Sequence, residues 1–197
     1  MPTPVGHSLA AVTLYLALSP APRPWGEWRA GLLALAAASA ADLDFVAGVV
    51  VGDWNRFHQG ASHSLVVALG LGLGLASLPL TSLGGWRRRA LLFTALALSH
   101  LALDLVTRDA RPPYGIPLFW PFSSAYVHAP FSVFPFMRRG SWALILSPAN
   151  WWGPVIELLV LGPPLAVVAF HRLRGYPQRA PAPRGRRPAR PASRGAT

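Results

Sequence analysis

Five apolar stretches constrain the fold of this 197-residue chain more than any other feature. The third stretch has about the 20 residues that a helix needs to cross a bilayer core of about 30 Å, and the first two are short for spanning. We therefore expect an all-α membrane bundle of about five apolar helices, with an interfacial loop between helices four and five. The stretches cover residues 5–19, 28–41, 63–83, 90–107 and 151–170.

Two of these stretches contain residues that disturb a membrane helix. The second reaches Asp42 and Asp44, and two unpaired carboxylates are costly in lipid, so we expect a break there rather than a helix that continues to Val51. The fifth contains Gly162 followed by Pro163 and Pro164. Because the chain stays apolar on both sides, the prolines should kink this helix rather than end it.

The basic residues are concentrated at the C-terminus. All 18 are arginines, eight of them among the last 26 residues, where Pro is frequent and apolar periodicity is lacking. We expect one membrane-embedded domain over residues 1–172 and a disordered tail over 173–197. A basic tail after an apolar helix is typical of the cytoplasmic side or of contact with anionic membrane lipid, and nucleic-acid binding is not favoured.

The other arginines predict an orientation. The linkers between stretches one and two and between stretches three and four, together with the residues after the fifth stretch, hold 13 of the 18 arginines. Placing these regions in the cytoplasm satisfies the positive-inside rule. The loops 42–63 and 108–150 then face outward, and His and Asp residues from several stretches meet at the outer end, although they were not used in this assignment.

His100 and Asp104 are the strongest candidates for metal ligands. Their i,i+4 spacing puts both side chains on one helical face. The alternative is an internal hydrogen bond between two buried polar groups. Ionisable residues within an apolar helix are functional by default, so we favour a metal site. The chain has no cysteine, which leaves His and carboxylate ligands and suits zinc, manganese or iron.

Asp42 and Asp44 are the second candidate pair. Carboxylates at a helix C-terminus oppose the helix dipole, which favours a cation partner over simple helix termination. In extended backbone the two would point apart unless the loop bends.

His58 and His63 flank a flexible glycine, and His7 begins the first stretch at the same end. Ser62 is the expected N-cap of the third helix, which would place His63 in its first turn. A single loop histidine usually lies on the protein surface, but the expected proximity of the other candidates favours a shared site.

The remaining polar residues are weaker candidates. We expect Asp53 and Asp109 to be solvated or paired with nearby arginines, and Glu157 to be a packing contact or an inward polar group. His128 and His171 suit the membrane interface. The aromatic segment 112–136 predicts either a lid or an interfacial anchor, and both interpretations stay open.

These motifs, in this order, resemble the YdjM-like inner-membrane metal-dependent hydrolases. The resemblance rests on His7, the D-x-D of Asp42 and Asp44, H-x-G-x-x-H-S at 58–64, S-H-x-x-x-D at 99–104 and Y-G-I-P-L-F-W-P-F-S at 114–123. The chain departs from the family pattern at Ala41 and Gln59, where Pro and Arg are common. The His/Asp pattern is also similar in kind to that of zinc-dependent phospholipase C.

The resemblance and the residues together lead us to expect a hydrolase at the outer face of a bacterial cytoplasmic membrane, acting on a phosphoester or a lipid-linked substrate. One or two divalent ions, zinc first, would be held by His7, Asp42, His58, His63, His100 and Asp104, with Asp44 a ligand or the general base. The alternative is a non-catalytic membrane protein with a structural or transported ion. A closed tetrahedral shell would favour a structural ion, and a path through the helices lined by Glu157 would favour transport.

Overall fold

The computed structural model describes residues 1–20, 28–109 and 112–174, and this part of the chain is helical, with two isolated β-bridges. The predicted all-α class is confirmed for these residues. Residues 21–27, which include Arg23, and the predicted tail from 175 onward lie outside the described ranges. The helices are α1 (Pro4–Leu18), α2 (Trp28–Ser39), α3 (Leu43–Val50), α4 (Leu65–Ala76), α5 (Trp86–Leu105), α6 (Trp142–Ile145) and α7 (Trp152–Arg174), with 3₁₀ turns at Ala40–Asp42, Ala61–His63, Thr81–Leu83 and Pro148–Asn150.

Two helical stretches among the described residues are long and apolar enough to cross a membrane, so the prediction of about five was wrong. They are Trp28–Val50 and Pro148–Arg174, and only 22% and 11% of their most apolar windows is buried. Apolar side chains therefore cover their outer surfaces, as lipid contact requires. Helices α1 and α4 are shorter, with 15 and 12 residues, and α5 begins with three consecutive arginines.

The expected break at the aspartates was also wrong. Asp42 lies in the 3₁₀ turn after α2, and Asp44 lies in the first turn of α3, so the helical path continues to Val50. The carboxylates tolerate this position because they do not face lipid. Their side chains are 20% and 10% exposed and lie against histidines.

The third apolar stretch is shorter than predicted at both ends. Helix α4 begins at Leu65, and its N-cap is Ser64, which accepts a hydrogen bond from the Val67 amide. The expectation that Ser62 caps this helix was wrong, because the Ser62 hydroxyl instead donates to Asp44. In contrast, α7 continues through Pro163 and Pro164, so the prediction that the prolines do not end this helix is confirmed.

Helix α5 lies at the centre of the bundle. It packs against α1, α2 and α4, and α7 packs on α1. Small residues permit close approach: a Cβ at Gly72 of α4 would lie 2.6 Å from the Thr94 Cα of α5, and α2 presents four buried alanines to the core, Ala30, Ala34, Ala37 and Ala38. Small residues at such contacts are typical of helix packing in membranes.

Helix α7 holds α1 at both ends. At the first end, Glu157 accepts hydrogen bonds from the Thr3 amide at 2.5 Å and the Thr3 hydroxyl at 2.6 Å. At the other end, the Arg172 guanidinium donates to the carbonyl oxygens of Leu16 and Ser19. A carboxylate at the N-terminus and a guanidinium at the C-terminus both complement the dipole of α1 and satisfy its free backbone groups.

The segment 112–136 folds over the end of the bundle where α4 begins and α5 ends. Ile116 and Val127 exchange backbone hydrogen bonds, the Leu118 carbonyl accepts from the Leu65 amide, and the Leu105 carbonyl accepts from the Ala129 amide. The side chain of Ile116 is fully buried, whereas Phe122 is 86% exposed. The segment therefore covers this end and also presents aromatic side chains outward, so the lid and anchor interpretations both stay open.

Candidate metal centre

All seven predicted site residues meet beneath this covering segment. Helix α1 contributes His7, and the turn after α2 with the start of α3 contributes the two aspartates. The 51–64 loop contributes two histidines, and the last two turns of α5 contribute the i,i+4 pair. Within the described residues, three overlapping groups of ligand type lie within 4.8 Å: His7, Asp42 and His100; Asp42, His58 and His63; and His63, His100 and Asp104.

Three ligand atoms form a nearly equilateral triangle at the centre. His63 Nε2 lies 3.3 Å from His100 Nε2, and Asp104 Oδ2 lies 3.3 Å from each of these two nitrogens. Zinc bound tetrahedrally at about 2.0–2.1 Å separates its ligand atoms by about 3.3 Å. The three atoms therefore have the spacing of one face of a zinc tetrahedron.

Asp42 supplies a fourth ligand atom, an oxygen, on the side that is not fully buried. Its Oδ1 lies 3.7 Å from His63 Nε2 and 3.6 Å from His100 Nε2, and the side chain is 20% exposed. These distances are longer than the triangle edges. Asp42 can complete the set or give way to water.

The orientation of His100 is set by the backbone of α2. Its Nδ1 lies 2.7 Å from the Ala38 carbonyl oxygen, and a carbonyl can only accept, so Nδ1 carries the proton. Nε2 is then left with a lone pair directed toward the triangle. A carbonyl partner of this kind orients many metal-binding histidines.

Asp44 orients both histidines of the 51–64 loop. Its Oδ1 lies 3.0 Å from His58 Nδ1, and its Oδ2 lies 3.2 Å from His63 Nδ1 and accepts the Ser62 hydroxyl at 2.7 Å. Asp44 belongs to none of the three ligand groups found in the described ranges. Both of its oxygens already contact His58, His63 or Ser62. Asp44 therefore lies behind His63 and not at the triangle of ligand atoms.

The charge of the cluster favours a cation. Burial disfavours a charged imidazole at His63, but the carboxylates of Asp104, Asp42 and Asp44 outweigh burial and raise the pKa of His63 to about 11. These carboxylates therefore attract positive charge to the triangle strongly enough to hold a proton there. A divalent ion would meet the same demand with more charge.

His7 and Asp104 provide further ligand atoms that are not part of the triangle. The His7 ring stacks on His100 at a centroid distance of 4.0 Å, and its Nε2 lies 3.8 Å from Asp104 Oδ1. Six buried atoms of the cluster have no hydrogen-bond partner among the described residues, which is rare for buried polar groups: His7 Nδ1 and Nε2, Asp42 Oδ1, His58 Nε2 and both Asp104 oxygens. The cluster thus holds more ligand atoms than one tetrahedral ion uses.

A cavity of about 280 Å³ opens beside the cluster at His58. Burial lowers the pKa of the His58 imidazole, although its hydrogen bond to Asp44 acts in the opposite direction, so His58 is neutral and offers an unprotonated nitrogen. The cavity is also lined by Gln59 and Asp109, and by Asn55, Arg138 and Arg139. Sequence reasoning did not single out the last three, because they belong to no recognisable motif.

The weaker candidates lie outside the cluster. Asp53 accepts a hydrogen bond from the Asn55 amide, and Asp109 accepts from Gln59 Nε2 at 3.2 Å and from the Gly115 amide. Neither aspartate forms the expected ion pair with a neighbouring arginine in the described part of the chain. His128 is exposed and lies apart from the cluster.

One comparison with known proteins gives a match. A family model described as "YdjM inner membrane protein" matches residues 1–175, a range that includes every helix and all seven site residues. No curated protein and no solved structure matches the chain.

Proposed function

Because the chain belongs to the YdjM inner membrane protein family, we propose that it is a membrane-bound, metal-dependent hydrolase whose centre is the His/Asp cluster. The observation that supports this proposal most directly is the triangle of His63 Nε2, His100 Nε2 and Asp104 Oδ2, in which all three distances are 3.3 Å. That spacing suits zinc, and unpartnered buried atoms at the same point leave the polar groups in need of a cation.

The surplus of ligand atoms favours catalysis over a structural ion. A structural zinc site uses four ligands and closes its shell. Here His7 and Asp104 Oδ1 lie beyond the triangle, with His7 Nε2 3.8 Å from the oxygen, and these two groups would help to hold a second ion. Two neighbouring ions are typical of phosphoester hydrolysis.

Each residue of the cluster then has a distinct part. His63, His100, Asp104 and Asp42 hold the first ion, and His7 holds the second. Bound ions would lower the pKa of a coordinated water and stabilise negative charge on the attacked ester. Asp44 keeps His58 and His63 in position. His58 lines the cavity, and its Nε2 has no hydrogen-bond partner among the described residues. We favour this positioning part for Asp44 over that of ligand or general base, because its oxygens are already engaged.

The location suggests a phosphoester or lipid-linked substrate at the outer membrane face. The cluster lies at the N-terminal end of α1, whereas Arg88 and Arg172 donate to carbonyls at its C-terminal end. The positive-inside rule would place the arginine end in the cytoplasm. Topology reporters fused after Thr197 and within residues 45–60 should then report opposite sides of the membrane.

Metal analysis of the protein purified in detergent tests the proposal. We expect one to two zinc ions per chain and hydrolysis of at least one substrate in a panel of phosphomonoesters, phosphodiesters and phospholipids. Hydrolysis should stop on chelation and return with zinc. Zinc bound without any hydrolysis across the panel would instead support the structural ion.

A further inference from the structure

The cavity beside His58 carries an excess of positive charge. Three of its lining side chains are arginines, Arg108, Arg138 and Arg139, and one is a carboxylate, Asp109. Both Asp109 oxygens already accept hydrogen bonds, from Gln59 and from the Gly115 amide. Among the described residues, no carboxylate lies within the 4.0 Å of an ion pair with any of the three guanidinium groups.

Arg139 is the arginine best placed to contact a ligand. It is half-buried, and its Nε donates to Asn55 Oδ1 at 3.0 Å. No hydrogen bond to described residues uses its two terminal nitrogens. Burial lowers the pKa of this guanidinium, and the nearby carboxylates of Asp109 and Asp104 act in the opposite direction. A guanidinium stays charged in proteins, so Arg139 places a positive charge at the border of the cavity and the cluster.

The backbone that carries Arg139 is fixed rather than loose. Asn150 is 7% exposed, and its side chain accepts from the Arg138 amide and donates to the Arg138 and Leu144 carbonyls, each at 2.8 Å. The packing of Trp142 on Trp54, with ring centroids 4.9 Å apart, ties the same segment to the loop of Asn55. A guanidinium with Nε anchored and its outer edge free is arranged to bind an oxyanion through two parallel hydrogen bonds.

We propose that this cavity is an anion subsite that binds a phosphate group of the substrate, with Arg139 as its principal ligand. The inference rests on the proposed function, because the phosphate would lie next to His58 and bring its ester bond to the His/Asp cluster. Arg108 and Arg138, both exposed, add positive charge at the opening and draw anions toward it.

Phosphate binding to the detergent-purified, zinc-loaded protein tests this subsite without measuring catalysis. Arg139→Gln should weaken the binding of inorganic phosphate about tenfold or more, because a hydrogen-bonded charge pair is lost. Arg139→Lys, which keeps the charge but loses the fork, should give an intermediate loss. The matched control is Arg87→Gln, an exposed arginine at the start of α5, and it should bind phosphate as the unchanged protein does.

Titration of nanodiscs that contain phosphatidic acid, against nanodiscs of phosphatidylcholine alone, separates a lipid headgroup from a soluble phosphate. An Arg139-dependent preference for phosphatidic acid identifies a lipid phosphate, and Arg139-dependent binding of inorganic phosphate without that preference identifies a soluble one. Either result supports the subsite. Equal binding by Arg139→Gln and Arg87→Gln in both assays would overturn it, as would loss of zinc from Arg139→Gln and Arg139→Lys alike.

The two proposals fail in different ways. If His100→Ala abolishes zinc and hydrolysis while Arg139→Gln leaves phosphate binding intact, the hydrolase stands and the subsite falls. If the protein binds no zinc but binds phosphate in an Arg139-dependent manner, the subsite stands and the hydrolase falls.

Discussion

Glu157 and Asp104 are both carboxylates with 1% exposure on long helices, but their surroundings differ completely. Glu157 receives two short hydrogen bonds from Thr3. Asp104 lies among three histidine nitrogens, and within the described part of the chain neither of its oxygens has a hydrogen-bond partner. A buried charge whose partners are complete holds the structure together, whereas one that lacks partners indicates a ligand that the polypeptide does not supply.

The same contrast bears on ion transport. A conduit through the bundle would need polar groups free to exchange partners along its length. Glu157 is instead committed to the N-terminal end of α1, and Arg172 is committed to the C-terminal end. Glu157 and Arg172 therefore have structural roles in the described helices, as expected for our proposal of a fixed ion rather than a transported one.

We expect the largest effect for Asp104→Asn, which tests the metal-binding side of the comparison with Glu157. The substitution keeps the shape of the side chain but removes its charge and the oxygen pair that faces His63, His100 and His7. We expect most of the bound zinc to be lost, together with any hydrolysis, as measured by zinc per chain after dialysis and by the ester panel. His100→Ala should behave in the same way.

Asp53→Asn is the matched control for Asp104→Asn, because Asp53 is an aspartate of the neighbouring loop that contacts only the Asn55 amide through its side chain. Its zinc content should stay at that of the unchanged protein. Full zinc content in Asp104→Asn would mean that His100 and Asp104 are an internal hydrogen-bonded pair, and the comparison with Glu157 would then break down.

A smaller effect is expected for Asp44→Asn. Asp44 contacts His63 at the nitrogen that faces away from the triangle, and loss of such an outer partner typically weakens metal binding about 10–100-fold. Competition with a zinc-chelating dye measures this affinity. Ser62→Ala, which removes one hydrogen bond to Asp44, should have less effect. Loss of zinc as complete as in Asp104→Asn would identify Asp44 as a direct ligand.

The sequence predicted which polar residues come together better than it predicted the number of membrane-spanning helices. The i,i+4 spacing of His100 and Asp104, and their position at one end of the apolar pattern with His7 and His63, require only helical periodicity and are visible in the chain. The end of α4 was missed although the sequence carries a signal for it: leucines recur as far as Leu83, but Pro79 follows the last helical residue, Ala76, by three positions, and a proline is typical of the end of a helix. Hydropathy reports which residues avoid water, and it cannot separate helix from apolar turn.

Long-range partners were beyond sequence reasoning. The expected break at Asp42 followed from the cost of unpaired carboxylates in lipid, which was correct physics applied to the wrong surroundings, because His63 lies 3.7 Å away. The same holds for Glu157, whose partner Thr3 is 154 positions distant. Likewise, Arg139 and Asn55 form no motif and meet only when α6 packs on the 51–64 loop.

The smallest effect on metal is expected for Glu157→Leu, which completes the comparison from the structural side. Leucine removes both acceptors of Thr3, and leaving a buried donor unpaired costs about 1–3 kcal/mol for each group. The N-terminal end of α1 should therefore be less stable, which lowers the thermal unfolding midpoint in detergent. Glu157→Gln, which keeps one acceptor, should lose less stability. Zinc per chain should stay unchanged in both variants at temperatures below unfolding, because Glu157 contacts no ligand of the cluster. If the folded Glu157→Leu protein lost zinc as Asp104→Asn does, the two buried carboxylates would belong to one functional unit rather than to a structural and a metal-binding region.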